Sequence, residues 1–394
     1  MASSFHISPD QLLWRSFLRI QRLMRRRREE SSIPREKIYS ILLVELTRLG
    51  DVIEMIPAIR VFVRSYPLAI VHILIDTAYA PLMEAMNLGV IVHGVAQSTT
   101  IYGFVGAVRE ARRVHPDLAV SMSPVKRNAL VSALCGAHAF IGYLSYVKPH
   151  GQYFRPVPVT ALGDRLTSDA FFGREHIAQR SLRICEALGL NIRRGEEGLR
   201  FPDSSFRPVE QTLLQAKPTP HKRYVVVHPF SGWSYRTWPM ERYRILADHL
   251  HSKLGYDVIF ICAEEESSLL DSVRRSFEGN HAIRFFVSSH LTETLGLLQK
   301  ADLFVGNDSG PLHLATLLGV PSVGLFGPAP PEYTAPVDNR NIYLFHKVEC
   351  CPCEQVRCVR PHEPCIGLIT PDEVVSAATR LLTQPACGEA LKNA

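Results

Sequence analysis

Short β-branched runs alternate with longer amphipathic stretches along most of this chain, from Ile38 onward. This alternation is typical of parallel sheets that are covered by helices, so it predicts the α/β class. The pattern stops near residue 190 and then begins again, which indicates two doubly wound parallel sheets. The predicted strands span residues 38–46, 70–75, 89–93, 118–121 and 140–142 in the first half, and 224–228, 257–262, 283–287, 303–305 and 322–326 in the second.

The segment between the two halves indicates where the domains divide. Residues 191–220 are rich in Pro, Gly and charge and lack a clear period, as expected of a linker. A chain of 394 residues also fits two domains of roughly 100–200 residues each. Ligands of such sheets bind beyond the carboxyl ends of the strands, so we expect the chemistry in the loops that leave them. The predicted units are a tail over 1–37, a Rossmann-like domain over 38–200, a linker over 201–222 and a second Rossmann-like domain over 223–394.

The formal net charge of +6 is concentrated at the N-terminus. Residues 1–37 contain nine cations and four anions, a balance of +5, so the remaining residues carry only +1. A body this close to neutral excludes a strongly basic domain that would bind nucleic acid.

The tail itself predicts an amphipathic helix over residues 11–28. Leu13, Phe17, Ile20 and Met24 fall on one helical face, and arginines occupy the other. Such a helix suits the headgroup region of an anionic membrane, while a basic helix docked on the body and an Arg-rich organelle presequence are the alternatives. The sequence has neither a membrane-spanning run nor a cleavable signal, so we expect a cytoplasmic protein in peripheral contact with the inner face of the inner membrane.

Residues 46–52, LTRLGDV, form the first loop that carries chemistry. Gly50 permits a tight turn, and Asp51 stands where a helix N-cap belongs. Asp51 is therefore either a structural cap or a carboxylate at the cleft floor that acts as a general base.

The second loop is HPFSGWSYRTWP, residues 228–239. Small residues such as Ser231 let the backbone approach an anion, and Arg236 can offer a bidentate fork to phosphate. Pro239 stands near the favoured first position of the next helix. The alternative for Arg236 is a structural role, stacked on the neighbouring tryptophans.

The third loop is GNDSGPLHLA, residues 306–315. Ser309 and Gly310 stand at a helix start, where free amides and the helix dipole favour an anion such as a diphosphate. His313 lies one turn further, near enough to contact the same ligand. Asp308 and Ser309, taken alone, are also consistent with ordinary helix caps.

In these three loops, and most specifically in VGNDSGPLHLATLLGVPSVGLFGP, the chain resembles glycosyltransferase family 9. These are the heptosyltransferases that build the inner core of bacterial lipopolysaccharide. The resemblance runs from about Ile38 to Leu382. It implies a GT-B fold, a nucleotide-sugar donor, usually ADP-heptose, bound mainly by the C-terminal domain, and a lipid A-core glycolipid acceptor bound mainly by the N-terminal domain. Electrostatic stabilisation by the loop amides and Arg236 would make a bound metal unnecessary, so we expect no required cofactor.

The resemblance also implies roles for individual residues. Asp51 matches the proposed catalytic base, and Arg236 falls where many members have Lys. Many members have a Gly-rich turn where this chain has three glutamates, of which Glu265 is our candidate for the ribose hydroxyls. A solvated acidic helix start is the alternative. The segment that cradles the donor diphosphate is matched by Asp308, Ser309, Gly310, Pro311 and His313.

A further group resembles family positions that face a negatively charged acceptor. Lys126, Arg127 and Asn128 follow a predicted strand end in the N-terminal domain. An ordinary cationic first turn of a helix is the alternative.

Five cysteines are crowded into the loop over residues 346–365. In a reducing compartment such a cluster suggests metal ligands or free thiols more than disulfides. The alternatives are free thiols packed in a loop, a disulfide, or a structural zinc site, whose four ligands would be Cys350, Cys353, Cys358 and Cys365.

Together these features predict an inverting glycosyltransferase, with Asp51 as base and the loop amides, Ser309 and Arg236 stabilising the leaving diphosphate. The donor would be ADP-heptose and the acceptor a Kdo or heptose of the inner core. The rival hypotheses are a GT-B transferase with another nucleotide sugar or acceptor, a binding protein without turnover, and a sugar-nucleotide epimerase.

Overall fold

The computed structural model describes residues 35–96, 100–123, 125–146, 155–160, 176–193, 223–275, 277, 283–336, 340–353 and 357–383. The predicted tail helix and the predicted linker over residues 201–222 lie outside the described residues. The domain boundaries therefore stay predictions.

The first sheet has six strands in the order β3-β2-β1-β4-β5-β6. The first five strands are parallel, and β6 pairs antiparallel with β5. These strands are β1 Ser40–Val44, β2 Ile70–Asp76, β3 Val90–Val95, β4 Leu118–Ser121, β5 Ala139–Tyr146 and β6 Arg155–Thr160.

The second sheet has six parallel strands in the order β12-β11-β10-β7-β8-β9. Read from the other edge, this is the same strand order as in the first sheet. Its strands are β7 Tyr224–His228, β8 Asp257–Ala263, β9 Ile283–Ser288, β10 Leu303–Asn307, β11 Ser322–Phe326 and β12 Ile342–Phe345.

Helices cover both sheets. In the first half the described helices are α1 Leu49–Glu54, α2 Ile56–Ser65, α3 Ala80–Ala85, α4 Ile101–Arg113, α5 Lys126–Leu134 and α6 Ile177–Ala187. In the second half they are α7 Met240–Ser252, α8 Ser267–Arg275, α9 Leu291–Leu298, α10 Gly310–Leu317, α11 Pro331–Thr334 and α12 Pro371–Thr383.

Side chains of β1 alternate between two apolar layers, as the strand period requires. Ile41 and Leu43 face the layer that contains α1 and α2, whereas Leu42 and Val44 face α4 and α5. The first of these layers also includes Leu312 of α10, so one apolar cluster joins the two domains through α1 and α10.

All ten predicted strands are confirmed, with ends that differ by at most four residues. Strands β6 and β12 were not predicted. The apolar stretch that follows β1 forms two helices, α1 and α2, with Met55 between them, because Pro57 is at the start of α2 and has no N–H to continue the helical ladder.

Candidate active site

Four loops converge at the two points where strand order reverses. In the first sheet β1 and β4 are neighbours although their connections run to opposite sides, and β7 and β10 have the same relation in the second sheet. The carboxyl ends at such switch points are where α/β sheets bind ligands. The three predicted loops follow β1, β7 and β10, and the predicted acceptor group follows β4.

Asp51 lies in the first turn of α1 and is not its N-cap, which is Arg48. The cap alternative for Asp51 is therefore wrong. Burial raises the pKa of the Asp51 carboxyl, and hydrogen bonding at Thr47, the charge of His313 and the Arg48 N–H oppose that rise. A buried carboxyl with a raised pKa has the property needed of a general base near neutral pH.

A second buried acid, Glu45, lies beside Asp51 at the end of β1. Its side chain accepts hydrogen bonds from the Thr47 hydroxyl at 2.5 Å, the Ser123 hydroxyl at 3.1 Å and the Asn128 amide at 2.9 Å. Burial, with the nearby charge of Asp51, raises the pKa of Glu45 to about 7. Glu45 was not predicted as a site residue, because in the sequence it is part of an apolar strand.

The three residues predicted to face the acceptor have different environments in the structure. Asn128 is fully buried, donates to Glu45 and Ser123 and accepts from the Leu46 N–H, so the prediction that it faces the acceptor is wrong. Arg127 is half-buried, and its Nε and Nη2 have no hydrogen-bond partner among the described residues. Lys126 begins α5. Arg127 stays the best-placed candidate for an anionic acceptor.

The second loop is tied to the third. Arg236 donates to the Asp308 carbonyl at 2.8 Å and forms a salt bridge with the Asp308 carboxylate. Its Nε is buried without a partner in the described part of the chain, so this N–H is available to a ligand. Ser231 bonds within its own turn, to the Trp233 carbonyl at 2.9 Å. Pro239 is the N-cap of α7.

The third loop begins α10 as predicted, with Ser309 as N-cap and Pro311 in the first turn. The Ser309 hydroxyl is 3.2 Å from His228 Nδ1 and caps none of the amides of the helix that the structure describes. An anion at this helix start would therefore find the Gly310 amide and the positive end of the helix dipole. Asp308 is buried and occupied by Arg236.

The three glutamates after β8 form a short 3-10 helix at residues 264–266. Glu265 is exposed, whereas Glu266 lies 3.3 Å from His228 Nε2 and accepts from the Ala263 N–H. Burial raises the pKa of Glu266, but the hydrogen bond and charge of His228 outweigh burial and lower it. Glu266 is thus connected through His228 to Ser309, and Glu265 is outside this network.

The two halves of the site touch across the domain interface. His313 Nδ1 lies 3.0 Å from Glu54 Oε1. A Cβ added to Gly50 would lie 3.2 Å from His313 Nε2, and one added to Gly310 would lie 3.1 Å from Leu49. A side chain at either position would press on the facing wall, so glycine suits this close approach.

The cysteine loop lies next to the second loop. Cys350, Cys353, Cys358 and Cys365 line one small cavity of about 50 Å³ together with Trp233 and Tyr235. All eight cysteines that the structure describes are free, which contradicts the disulfide alternative for them. Among the same residues, no group of three or more His, Cys, Asp or Glu side chains is arranged to hold a metal, so the zinc prediction lacks support.

Within the described ranges, every helix is too short or too polar to span a membrane. The predicted membrane-surface helix of the tail lies outside those ranges.

The fold and site define a class of enzyme. Two Rossmann-like domains face each other, which is the arrangement of the GT-B fold. The sequence model of glycosyltransferase family 9 (heptosyltransferase) matches residues 117–363, more than half of the chain. The chain belongs to this family and is a glycosyltransferase.

Individual relatives agree with this assignment. Escherichia coli lipopolysaccharide heptosyltransferase 3 is 22% identical over 344 residues, which cover 86% of this chain and 96% of the relative. The crystal structure of a family 9 glycosyltransferase from Veillonella parvula has a TM-score of 0.70 at 20% identity and covers 89% of this chain and 99% of its own. E. coli heptosyltransferase WaaC with ADP-2-deoxy-2-fluoro heptose has a TM-score of 0.59 at 16% identity, with coverage of 86% and 99%.

Proposed function

We propose that this enzyme transfers heptose from ADP-heptose to an inner-core sugar, Kdo or heptose, of lipopolysaccharide, with inversion at the anomeric carbon. The observation that carries the proposal is the juxtaposition of Asp51 with the start of α10, on facing walls that meet at Gly50 and His313. The heptosyltransferase relatives and the ADP-heptose analogue seen in WaaC support this choice of donor.

The acceptor hydroxyl would lie beside Asp51. As its oxygen bonds to the anomeric carbon of the donor, Asp51 takes the hydroxyl proton and the bond from that carbon to the diphosphate breaks. Because burial raises the pKa of Asp51, its carboxylate is a stronger base than that of an exposed aspartate, which favours proton transfer.

The leaving diphosphate would lie at the start of α10. Negative charge develops on its oxygens, and the Gly310 amide, the helix dipole, the Ser309 hydroxyl and the unpartnered Nε of Arg236 would stabilise it. Because these groups supply the positive charge, the proposed reaction requires no cofactor.

We propose Arg127, with Lys126, as the contact for the anionic groups of the acceptor. The two unpartnered nitrogens of Arg127 support this, since a buried N–H group without a hydrogen-bond partner is unfavourable until a ligand satisfies it.

The acceptor is lipid-linked, so we propose peripheral contact of the enzyme with the cytoplasmic face of the inner membrane through the basic tail. Deletion of residues 1–33 should release the protein from anionic liposomes and leave activity on a delipidated acceptor intact. Sedimentation with liposomes equal to that of the full chain would exclude the tail as the anchor.

A donor panel tests the proposed function. The acceptor is a Kdo-containing lipid A precursor or its heptosylated form. Each acceptor is incubated with the enzyme and with ADP-heptose, UDP-glucose or UDP-N-acetylglucosamine as donor, and the products are identified by mass spectrometry. We expect a product only with ADP-heptose. Transfer from a uridine donor, or epimerised free donor in the absence of acceptor, would favour the rival functions.

A further inference from the structure

One ion pair connects the two domains inside the candidate site. Glu54, at the end of α1, lies 3.0 Å from His313 of α10, although the two residues are 259 positions apart in sequence. Their side chains are 1% and 7% exposed, respectively. The proposed mechanism does not use Glu54.

The geometry of the pair favours a positive partner for Glu54. One oxygen of its carboxylate contacts His313, and the other is buried without a hydrogen-bond partner in the described part of the chain. A buried carboxylate in that situation is costly unless the histidine carries a proton.

The surroundings of His313 also favour a protonated ring. Its ring lies within the fields of three carboxylates, those of Glu54 and Asp51 from α1 and that of Asp308 from its own loop. Burial lowers the pKa of His313, but the hydrogen bond and charge of Glu54 and the two other carboxylates outweigh burial and raise it.

Two cations belong to the same group of charges. Asp51 interacts with Arg180 of α6 as well as with His313, and Arg236 neutralises much of the charge of Asp308.

The orientation of the His313 imidazole ring places it beside the proposed reaction centre. Nδ1 is held by Glu54, and Nε2 faces Gly50, the residue before Asp51. His313 is also one turn into the helix whose start we propose as the diphosphate site.

We propose that Glu54 is a positioning residue that holds His313 as an imidazolium between Asp51 and the start of α10, so that this cation is present only while the domains are in contact. This inference rests on the proposed function. The cation would keep Asp51 ionised as a base and add positive charge near the leaving diphosphate. Separation of the domains would remove Glu54 from His313 and disable both effects.

The pH dependence of kcat/KM for wild type and Glu54→Gln tests this. Glutamine keeps the size of Glu54 but removes its charge, so His313 loses its proton at lower pH and Asp51 gains one at higher pH. We expect the bell-shaped profile to narrow from both sides and the rate at neutral pH to fall roughly 10-fold to 100-fold. A uniform loss of rate without narrowing would mean that Glu54 is only a structural clasp and would overturn the proposal.

Two comparisons sharpen the kinetic test. In Glu54→Gln/His313→Gln the losses should be strongly non-additive, because the two residues act as one unit. Glu373→Gln is the matched control, since it removes the partner of His346 at 2.9 Å in a partly exposed pair beside the edge strand β12. Its profile should match that of wild type.

Histidine NMR separates this proposal from the proposed function, because it needs neither donor nor acceptor. In selectively ¹⁵N-labelled protein, the His313 signal is identified by its loss in His313→Gln. We expect a protonated ring in wild type at pH 7.5 and a neutral ring in Glu54→Gln. A neutral wild-type ring would overturn the proposal even if ADP-heptose is the donor, whereas a protonated ring would support it even if the donor panel fails.

Discussion

Glu45→Gln should change the pH dependence of stability by a predictable amount. Burial raises the pKa of Glu45 from 4.5 to about 7, which corresponds to about 3 kcal/mol between the two protonation states. Because the folded-state pKa is the higher one, this stabilisation is fully present below pH 4.5 and is lost as the pH rises to about 7 and beyond.

A glutamine at position 45 would keep the local hydrogen bonds and, because it does not ionise, would avoid the loss of stability at high pH. Its amide oxygen can accept from Thr47, Ser123 and Asn128 as the carboxylate oxygen does. The difference in the free energy of unfolding, variant minus wild type, should therefore rise by up to about 3 kcal/mol between pH 4.5 and pH 8.

Urea unfolding followed by circular dichroism at constant ionic strength, repeated across this pH range, measures that difference. Glu264→Gln, which removes the same charge from an exposed position, is the control and should give a difference that is small at every pH. A difference for Glu45→Gln that does not vary with pH would refute the account of the buried acid.

Three further predictions concern the site. Asp51→Asn should lower kcat by roughly 10²-fold to 10⁴-fold, whereas its affinity for ADP, measured by calorimetry, should not change. A kcat of the variant equal to that of wild type would exclude Asp51 as the base. Arg236→Gln leaves the Asp308 carboxylate buried without its partner, so the unfolding free energy should fall by about 3–5 kcal/mol and recover largely in Arg236→Gln/Asp308→Asn. Without such recovery, the ion pair is not the cause. Gly306→Ala would place a methyl group 2.8 Å from the His228 carbonyl oxygen, so the free energy of unfolding should fall by about 1–3 kcal/mol. Thermal unfolding measures this, and an unchanged Tm would contradict the packing described here.

Much of the fold could be predicted from the sequence because strands and loops leave local signals. The strand at residues 224–228 was predicted with both ends correct, since an apolar β-branched run is followed by a Gly- and Pro-containing loop. The three loops were found for the same reason, and parallel topology brings their strand ends to one edge. Strand β12 was not predicted, because its four half-buried residues form too short an apolar run to indicate a strand.

The site was harder to predict, because its decisive contacts are not local. Asn128 reads as a polar residue in a cationic helix start, and only the fold shows it buried against Glu45. Glu45 and Glu54 stand within apolar segments, where single acids give no periodic signal. The pairing of Glu54 with His313 depends on how the two domains meet, which no spacing in the sequence encodes.

The anomeric configuration of the product tests the central claim most directly. The enzyme is given ADP-heptose of known anomeric configuration and a Kdo-containing acceptor, and the new glycosidic bond is assigned by NMR. If Asp51 deprotonates an acceptor that attacks opposite the leaving diphosphate, the configuration at the anomeric carbon is inverted. A retained configuration would contradict the proposed role of Asp51 and the mechanism built on it.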